Sequence, residues 1–118
     1  MDRMAVGMTR DEFEELVAEA LDLIPAEFTK AMDNVVILVE DRHPTQNLYG
    51  LYHGVALTSR TSQYSGYLPD TITIYRLPIL AHARDVAAAR EQVATTVIHE
   101  VAHHFGIDDD RLDELGWA

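Results

Sequence analysis

The sequence contains no cysteine, so disulfide bonds, thiolate metal sites and cysteine nucleophiles are all excluded. Positive charge is scarce: nine Lys and Arg residues face twenty Asp and Glu residues, which gives a formal net charge of −11. So acidic a chain repels phosphate backbones, which argues against nucleic-acid binding. The longest aliphatic stretch, Val35 to Val39, is far too short to span a bilayer. Any metal site in this chain must therefore use histidine and carboxylate ligands.

The composition that remains is that of an ordinary folded protein. The 118 residues are 47% hydrophobic and 25% charged, which is typical of a globular chain. We expect a single domain over residues 1–118, because each half of a divided chain would be too small to bury a core. The first ten residues contain no apolar stretch of signal-peptide length. We therefore expect a cytoplasmic protein with no membrane partner.

Helical and extended patterns follow one another along the chain. Thr9 with Glu12 three residues later forms a capping box, and apolar positions up to Ile24 recur at helical spacing, so we expect a helix over 9–24 that Pro25 ends. The later patterns predict, in order, a turn or two of helix over 26–32, a short buried strand over 34–40, short strands over 48–52 and 55–57, a strand over 70–77, a long helix from residue 86 to Gly106, and a short helix over 109–115.

Two of these elements have distinctive residue patterns. In the strand over 70–77, Ile72 and Ile74 point one way and the threonines the other, which predicts one solvent-exposed face. We expect Pro78 to end this strand. The long helix has Asp85 as its N-cap and an apolar stripe made of Val86, Val93, Val97, Val101 and Phe105. The order of elements indicates an α+β fold, a small sheet with its helices packed on one face.

The strongest chemical signal is the sequence His99-Glu100-Val101-Ala102-His103, which matches H-E-x-x-H. Residues four apart on a helix share a face, so both imidazoles can reach one metal ion. Glu100 is placed to accept a proton from water at the metal and not to ligate the ion. Two histidines alone make a weak site, and a catalytic zinc uses three protein ligands plus water.

The residues after the motif offer a third ligand. Gly106 can end the helix in a left-handed turn that folds the chain back under the site. Three residues later Asp109 stands where a third histidine is found in H-E-x-x-H-x-x-G-x-x-H, and His₂-carboxylate is a known zinc ligand set. Asp108 and Asp110 flank it, and the sequence leaves open which aspartate binds. His104 lies about 100° around the helix from His103, so we expect it to be exposed to solvent.

Four stretches of the sequence together resemble one known family. They are HEVAHHFGIDD at 99–109, GLYHG at 50–54, LPDTITI at 68–74 and RLPIL at 76–80. The set resembles the minimal zincin-like metallopeptidases of bacteria, and the resemblance extends from Phe13 to Gly116. It implies a compact zincin-like α+β fold in which His99, His103 and a nearby Asp hold one zinc ion and Glu100 is the base. The activity it implies is hydrolysis of peptide bonds in a peptide or protein substrate.

The chain departs from better-understood zincins in two ways. Metzincin-type spacing normally precedes a methionine-containing turn beneath the metal, but none of the nine residues after Asp109 is methionine. We also expect no large C-terminal subdomain to form the far wall of a cleft, so a partner protein, a second subunit or a very small substrate is expected. The strand from Thr71 to Arg76 is a candidate edge for pairing with an extended peptide. Candidate oxyanion donors, by residue type, are Tyr52, Tyr67, Tyr75 and His53.

Two other functions compete with peptide hydrolysis. One is a non-catalytic structural or regulatory zinc module, in which the metal stabilises a small core. The other is a single-metal endoribonuclease, because His99, His103 and Asp109 have the spacing of the H-x₃-H-x₅-H motif of a small ribonuclease family. That family carries glycine at the position of Glu100, and the acidic charge offers little to hold RNA. Metallopeptidase activity is therefore the prediction, and the zinc module is the main alternative.

Overall fold

The computed structural model of the protein describes residues 6–60 and 68–115. Its elements are, in chain order, helix α1 (Arg10–Asp22), helix α2 (Ala26–Ala31), strand β1 (Val35–Glu40), strand β2 (Gly50–His53), a short 3-10 helix (Leu57–Ser59), strand β3 (Asp70–Tyr75), helix α3 (Arg76–His82), helix α4 (Val86–His104) and helix α5 (Asp109–Leu115). In the described ranges no helix is long and apolar enough to cross a membrane.

The three strands form one mixed sheet in the order β1-β3-β2. β1 runs parallel to β3, and β2 runs antiparallel to it. The face toward the helices is apolar and closed, since Ile72 and Ile74 of β3 are fully buried. The opposite face is open, with Val36, Leu38 and Leu51 each 37–40% exposed. The fold is therefore α+β with the helices on one face of the sheet, as the sequence predicts.

The helical layer consists mainly of α1 packed on α4. The predicted capping box is present, because Thr9 Oγ1 accepts the Glu12 N–H and the Glu12 carboxylate accepts the Thr9 N–H. The buried side of α1 faces the core that α4 and the sheet complete, and burial of each large apolar side chain contributes about 1.5–3 kcal/mol. The large side chains of this core with no exposed surface include Phe13, Ile72, Ile74, Val93 and Val97.

The extended segments differ from the predictions in three respects. The strand over 70–77 is the central strand and hydrogen-bonds to a neighbour on each side, so it has no free edge for a peptide. β1 is an edge strand with alternate residues exposed, and the prediction that it is buried is wrong. Residues 55–57 form no strand; the chain instead makes a 3-10 turn over Leu57–Ser59.

Two helical details also differ. Pro78 does not simply end a strand, because it lies in the first turn of α3, where its missing N–H has no helical partner to lose. On α4, Asp85 is the N-cap as predicted, and its carboxylate accepts the Ala88 N–H at 2.8 Å. The predicted apolar stripe is buried in its middle, but Val86 at its start is 46% exposed.

Candidate metal centre

The last two turns of α4 bring the two motif histidines together. His99 and His103 lie four residues apart on one face, and their ring centroids are 4.6 Å apart. About a quarter of each side chain is exposed, 27% for His99 and 26% for His103. The helix backbone therefore holds two imidazoles side by side at the protein surface, as the motif predicts.

The turn after α4 folds the chain back toward these rings. Gly106 has φ +84°, and its N–H donates to the His103 carbonyl at 2.9 Å. Asp108 then caps α5, because its Oδ1 accepts the Arg111 N–H at 2.9 Å. A left-handed glycine followed by a capped helix fixes the path of the chain at the next residue, Asp109.

Asp109 meets both histidines at the same nitrogen. Its Oδ1 lies 3.2 Å from His99 Nε2 and 3.0 Å from His103 Nε2. The hydrogen bond with His103 is the main cause that holds the pKa of the Asp109 carboxyl below its usual value; slight burial opposes the shift, and the histidine charges add to it. The neighbouring Asp108 is engaged as a cap, and Asp110 is exposed.

Glu100 contacts the His103 ring at its other nitrogen, Nδ1. Ligand-capable atoms of His99, Glu100 and His103 all lie within 4.8 Å of one another, so proximity alone does not separate Glu100 from Asp109. The contacts do, because Glu100 Oε1 lies 3.0 Å from Nδ1 of His103, whereas Asp109 lies at Nε2. His99, His103 and Asp109 would therefore be the residues that hold a metal ion, and Glu100 would be left to orient the His103 ring.

A small cavity opens beside His99 and Glu100. Its volume is about 240 Å³. The Glu100 side chain is 8% exposed, so the cavity is its access to solvent. Gly50 of β2 lets the strand lie directly on α4, since a Cβ there would be 2.6 Å from Thr96 Cγ2. The lining residues are Tyr49, Gly50, Gln92, Thr95, Thr96, His99 and Glu100.

The prediction that His104 is exposed is wrong. Its side chain has no exposed surface, and its Nδ1 lies 3.0 Å from Asp70 Oδ2. His104 points to a different side of the helix from His103, as predicted. That side is covered by residues more than thirty positions away in the sequence. The signal in the sequence is helical spacing, since His104 follows the buried Val101 by three residues and the buried Val97 by seven.

The candidate oxyanion donors are not gathered at the metal centre. The Tyr52 hydroxyl is 2.5 Å from Asp70 Oδ2, although its ring centroid is 6.5 Å from that of His103. Tyr75 is buried, and burial, with the charges of Glu40 and Glu100, raises the pKa of its hydroxyl. His53 is exposed at the far end of β2. Tyr67 lies outside the described residues.

Comparison with known protein families gives a match. The sequence model of the family described as zincin-like metallopeptidase matches residues 32–117, well over half of the chain. The match includes all three strands of the sheet and the motif helix. A search of curated proteins finds no match. The resemblance predicted from the motifs is thus confirmed, and the chain belongs to the zincin-like metallopeptidase family.

Proposed function

We propose that this protein is a zinc-dependent peptidase in which His99, His103 and Asp109 hold one zinc ion and Glu100 is the general base. One observation carries the proposal: a single carboxylate oxygen of Asp109 lies within 3.2 Å of Nε2 of both histidines. Glu100 lines an open cavity at the same place. Three ligand atoms and one base therefore converge where a small molecule can enter.

The donor set fits a zinc ion in chemistry and in spacing. Imidazole nitrogen and carboxylate oxygen both bind zinc at about 2.0–2.1 Å, which puts neighbouring ligands of a tetrahedral site about 3.3 Å apart. The Asp109 oxygen is 3.2 Å and 3.0 Å from the two nitrogens. Both distances are close to that spacing, so the Asp109 oxygen lies where a neighbouring ligand of such a site would lie.

A bound zinc ion supplies polarisation of the scissile carbonyl and a lowered pKa for the attacking water. Glu100 accepts the proton of that water as the water oxygen bonds to the carbonyl carbon. It then gives the proton to the leaving nitrogen as the C–N bond breaks. The contact with His103 Nδ1 also orients the Glu100 carboxylate before substrate arrives.

The substrate reaches this base along β2 and not along β3. β3 is paired on both sides, whereas β2 bonds to β3 alone among the described strands. An extended peptide that adds to the outer edge of β2 passes Tyr49 and Gly50, which line the cavity beside Glu100. The edge predicted from the sequence is therefore replaced by the neighbouring strand.

The number of protein ligands favours catalysis over a structural zinc module. Structural zinc sites are closed, with four protein ligands, whereas catalytic sites have three and an open position. Here three candidate ligands lie beside a cavity of about 240 Å³. The charges do not favour the ribonuclease hypothesis, because the carboxylates beside the site would repel the phosphates of RNA.

The test is a metal analysis followed by a single substitution. Purified protein is expected to contain one zinc per chain and to cleave members of a random peptide library. Glu100→Gln is expected to retain zinc and the circular dichroism spectrum of the wild type while losing at least about 100-fold in cleavage rate, the scale of general-base catalysis. Glu91→Gln, an exposed glutamate on the same helix, is the matched control and keeps full activity.

Two results would contradict the proposal in different ways. Zinc-loaded wild-type protein that cleaves no peptide would favour the non-catalytic module. Cleavage that survives Glu100→Gln would support peptidase activity but would show that Glu100 is not the general base.

A further inference from the structure

A polar cluster, most of it buried, lies against the end of α4. We call it the Asp70 cluster; its members are Asp33, Tyr52, Arg60, Asp70 and His104. The Asp70 side chain is 3% exposed, that of Arg60 10%, and that of His104 not at all. Buried charged groups are costly unless they are paired and hydrogen-bonded. The arrangement of this cluster is therefore tightly determined by its contacts.

The contacts of His104 fix the protonation of its ring. Nε2 lies 3.2 Å from the backbone N–H of Asp33, which can only donate, so Nε2 is an acceptor without a proton. Nδ1 therefore carries the proton and donates it to Asp70 Oδ2 at 3.0 Å. Both nitrogens of the neutral ring are satisfied, and each contact joins α4 to a segment distant in sequence.

Asp70 collects hydrogen bonds from three further groups. Its Oδ2 accepts from the Tyr52 hydroxyl at 2.5 Å and from Arg60 Nη2 at 2.9 Å, and its Oδ1 accepts from the Val55 N–H at 3.2 Å. The loop after β2 closes directly on this carboxylate, because a Cβ on Gly54 would lie 2.3 Å from Oδ1. The carboxylate thus ties the end of β2 and the start of β3 to the end of α4.

Tyr52 connects the cluster to the metal centre. Its ring centroid is 5.9 Å from that of His104 and 6.5 Å from that of His103. Its hydroxyl is held by Asp70, so the ring forms a fixed wall beside His103. His103 thus has the Tyr52 ring as a neighbour in space and His104 as the next residue in the chain.

We propose that Asp70 and His104 are positioning residues of the metal centre: they lock the last turn of α4 and, through Tyr52, the ring of His103. The inference rests on the proposed metal site, since it concerns the ligand His103. It assigns a role to two buried residues that neither bind the metal nor touch substrate.

The test compares zinc affinity with stability in matched variants. His104→Phe keeps an aromatic ring of similar shape but loses both hydrogen bonds. His104→Asn places an amide N–H where Nδ1 lies and retains the bond to Asp70. Val93→Ala removes fully buried atoms from the same helix, so it lowers stability without touching the cluster. Zinc affinity is measured by competition with a chromophoric chelator, and site geometry by the visible absorption of cobalt-substituted protein.

His104→Phe is expected to bind zinc about 10- to 100-fold more weakly, the usual effect of losing an outer contact to a metal site, and to change the cobalt spectrum. His104→Asn is expected to recover most of both properties, and Val93→Ala to keep both despite a lower melting temperature. If His104→Phe does not fold, the same two measurements on Tyr52→Phe test the positioning role. That variant removes only the hydroxyl held by Asp70 and leaves the ring beside His103.

Each remaining outcome overturns an identified claim. Folded variants with the affinity and cobalt spectrum of the wild type would overturn the positioning role and leave the metal site standing. Equal weakening by Val93→Ala would show a general effect of stability and would overturn it as well. A wild-type protein that binds no zinc would remove the proposed function, and the positioning role with it.

Discussion

At the scale of single residues, the proposed third ligand is the position that the sequence left open. Three aspartates follow one another at 108–110, and one-dimensional spacing cannot tell which carboxylate turns inward. The structure separates them by their contacts, since Asp108 caps α5 and Asp109 Oδ1 lies beside both histidines. The local sequence offers only the helical spacing of His104 from buried valines as a sign of its burial, because its partner Asp70 is 34 residues away.

Substitution of the aspartates one at a time tests this assignment. Asp109→Asn is expected to weaken zinc binding by at least the roughly 100-fold that an outer contact can cost, because a neutral amide oxygen is a poorer ligand than a carboxylate. Asp110→Asn removes the same charge one residue further on and is expected to leave the affinity unchanged. Equal losses from both substitutions would indicate a general effect of charge and not a ligand.

Asp70 makes a second prediction, on acid stability. Burial alone raises the pKa of this carboxyl, but the hydrogen bonds from Tyr52, Val55, His104 and Arg60 outweigh it, so the pKa lies below its usual value of about 3.9. A lowered folded-state pKa means that the charged form stabilises the fold. That contribution is fully present above about pH 4 and is lost as the pH falls through the folded-state value.

Asp70→Asn is therefore expected to lower the free energy of unfolding at pH 7 by about 3 kcal/mol, as for a broken buried ion pair. The difference between variant and wild type is expected to shrink below pH 4. Urea unfolding from pH 7 to pH 3 measures both, with a chelator present so that protonation of the metal ligands does not contribute. A difference that stays constant with pH would contradict the assignment.

At the scale of elements, capping signals and apolar periodicity were sufficient for the elements nearest the site. The N-caps Thr9 and Asp85 mark the starts of α1 and α4, and the predicted bounds of α5, Asp109–Leu115, are those observed. The sheet was harder to predict. Which strand lies in the middle depends on pairing between β1 and β3 across an intervening segment, and local alternation carries no information about that order.

The turn between α4 and α5 gives a prediction at this scale. Gly106 adopts φ +84°, and a Cβ there would lie 2.0 Å from Thr58 Oγ1. Gly106→Ala is expected to lower the free energy of unfolding by about 1–3 kcal/mol and to weaken zinc binding, because the turn carries Asp109 to the histidines. Gly7→Ala, where a Cβ would meet nothing within 4 Å, is the control for both measurements.

At the scale of the whole molecule, the apolar core and the metal centre are separate. The core residues with no exposed surface lie between α1, α4 and the sheet, whereas about a quarter of each candidate histidine is exposed. Chelation is therefore expected to lower the melting temperature without unfolding the protein at 25 °C. Free zinc at 1,000 times its dissociation constant would add about 4 kcal/mol. Chelator that abolishes the circular dichroism signal at 25 °C would show that the metal holds the core as well.

The overall charge of −11 bears on the proposed substrate. Exposed carboxylates of Asp108 and Asp110 lie next to the site, and the net field of the chain has the same sign. A peptide with lysines away from the scissile bond is expected to have a higher kcat/KM than its glutamate counterpart at 10 mM salt, a concentration at which charges interact over about 30 Å.

The advantage of the basic peptide should shrink as salt is added, since the screening length falls to about 10 Å at 0.1 M. The variant Asp110→Asn, which leaves the cap at Asp108 intact, is expected to reduce that advantage while leaving hydrolysis of a neutral peptide unchanged. Two charged peptides cleaved at equal rates at 10 mM salt would show that only the geometry beside β2, and not the field of the molecule, selects the substrate. The salt series separates these causes because contacts within the cavity are screened far less than the approach from solution.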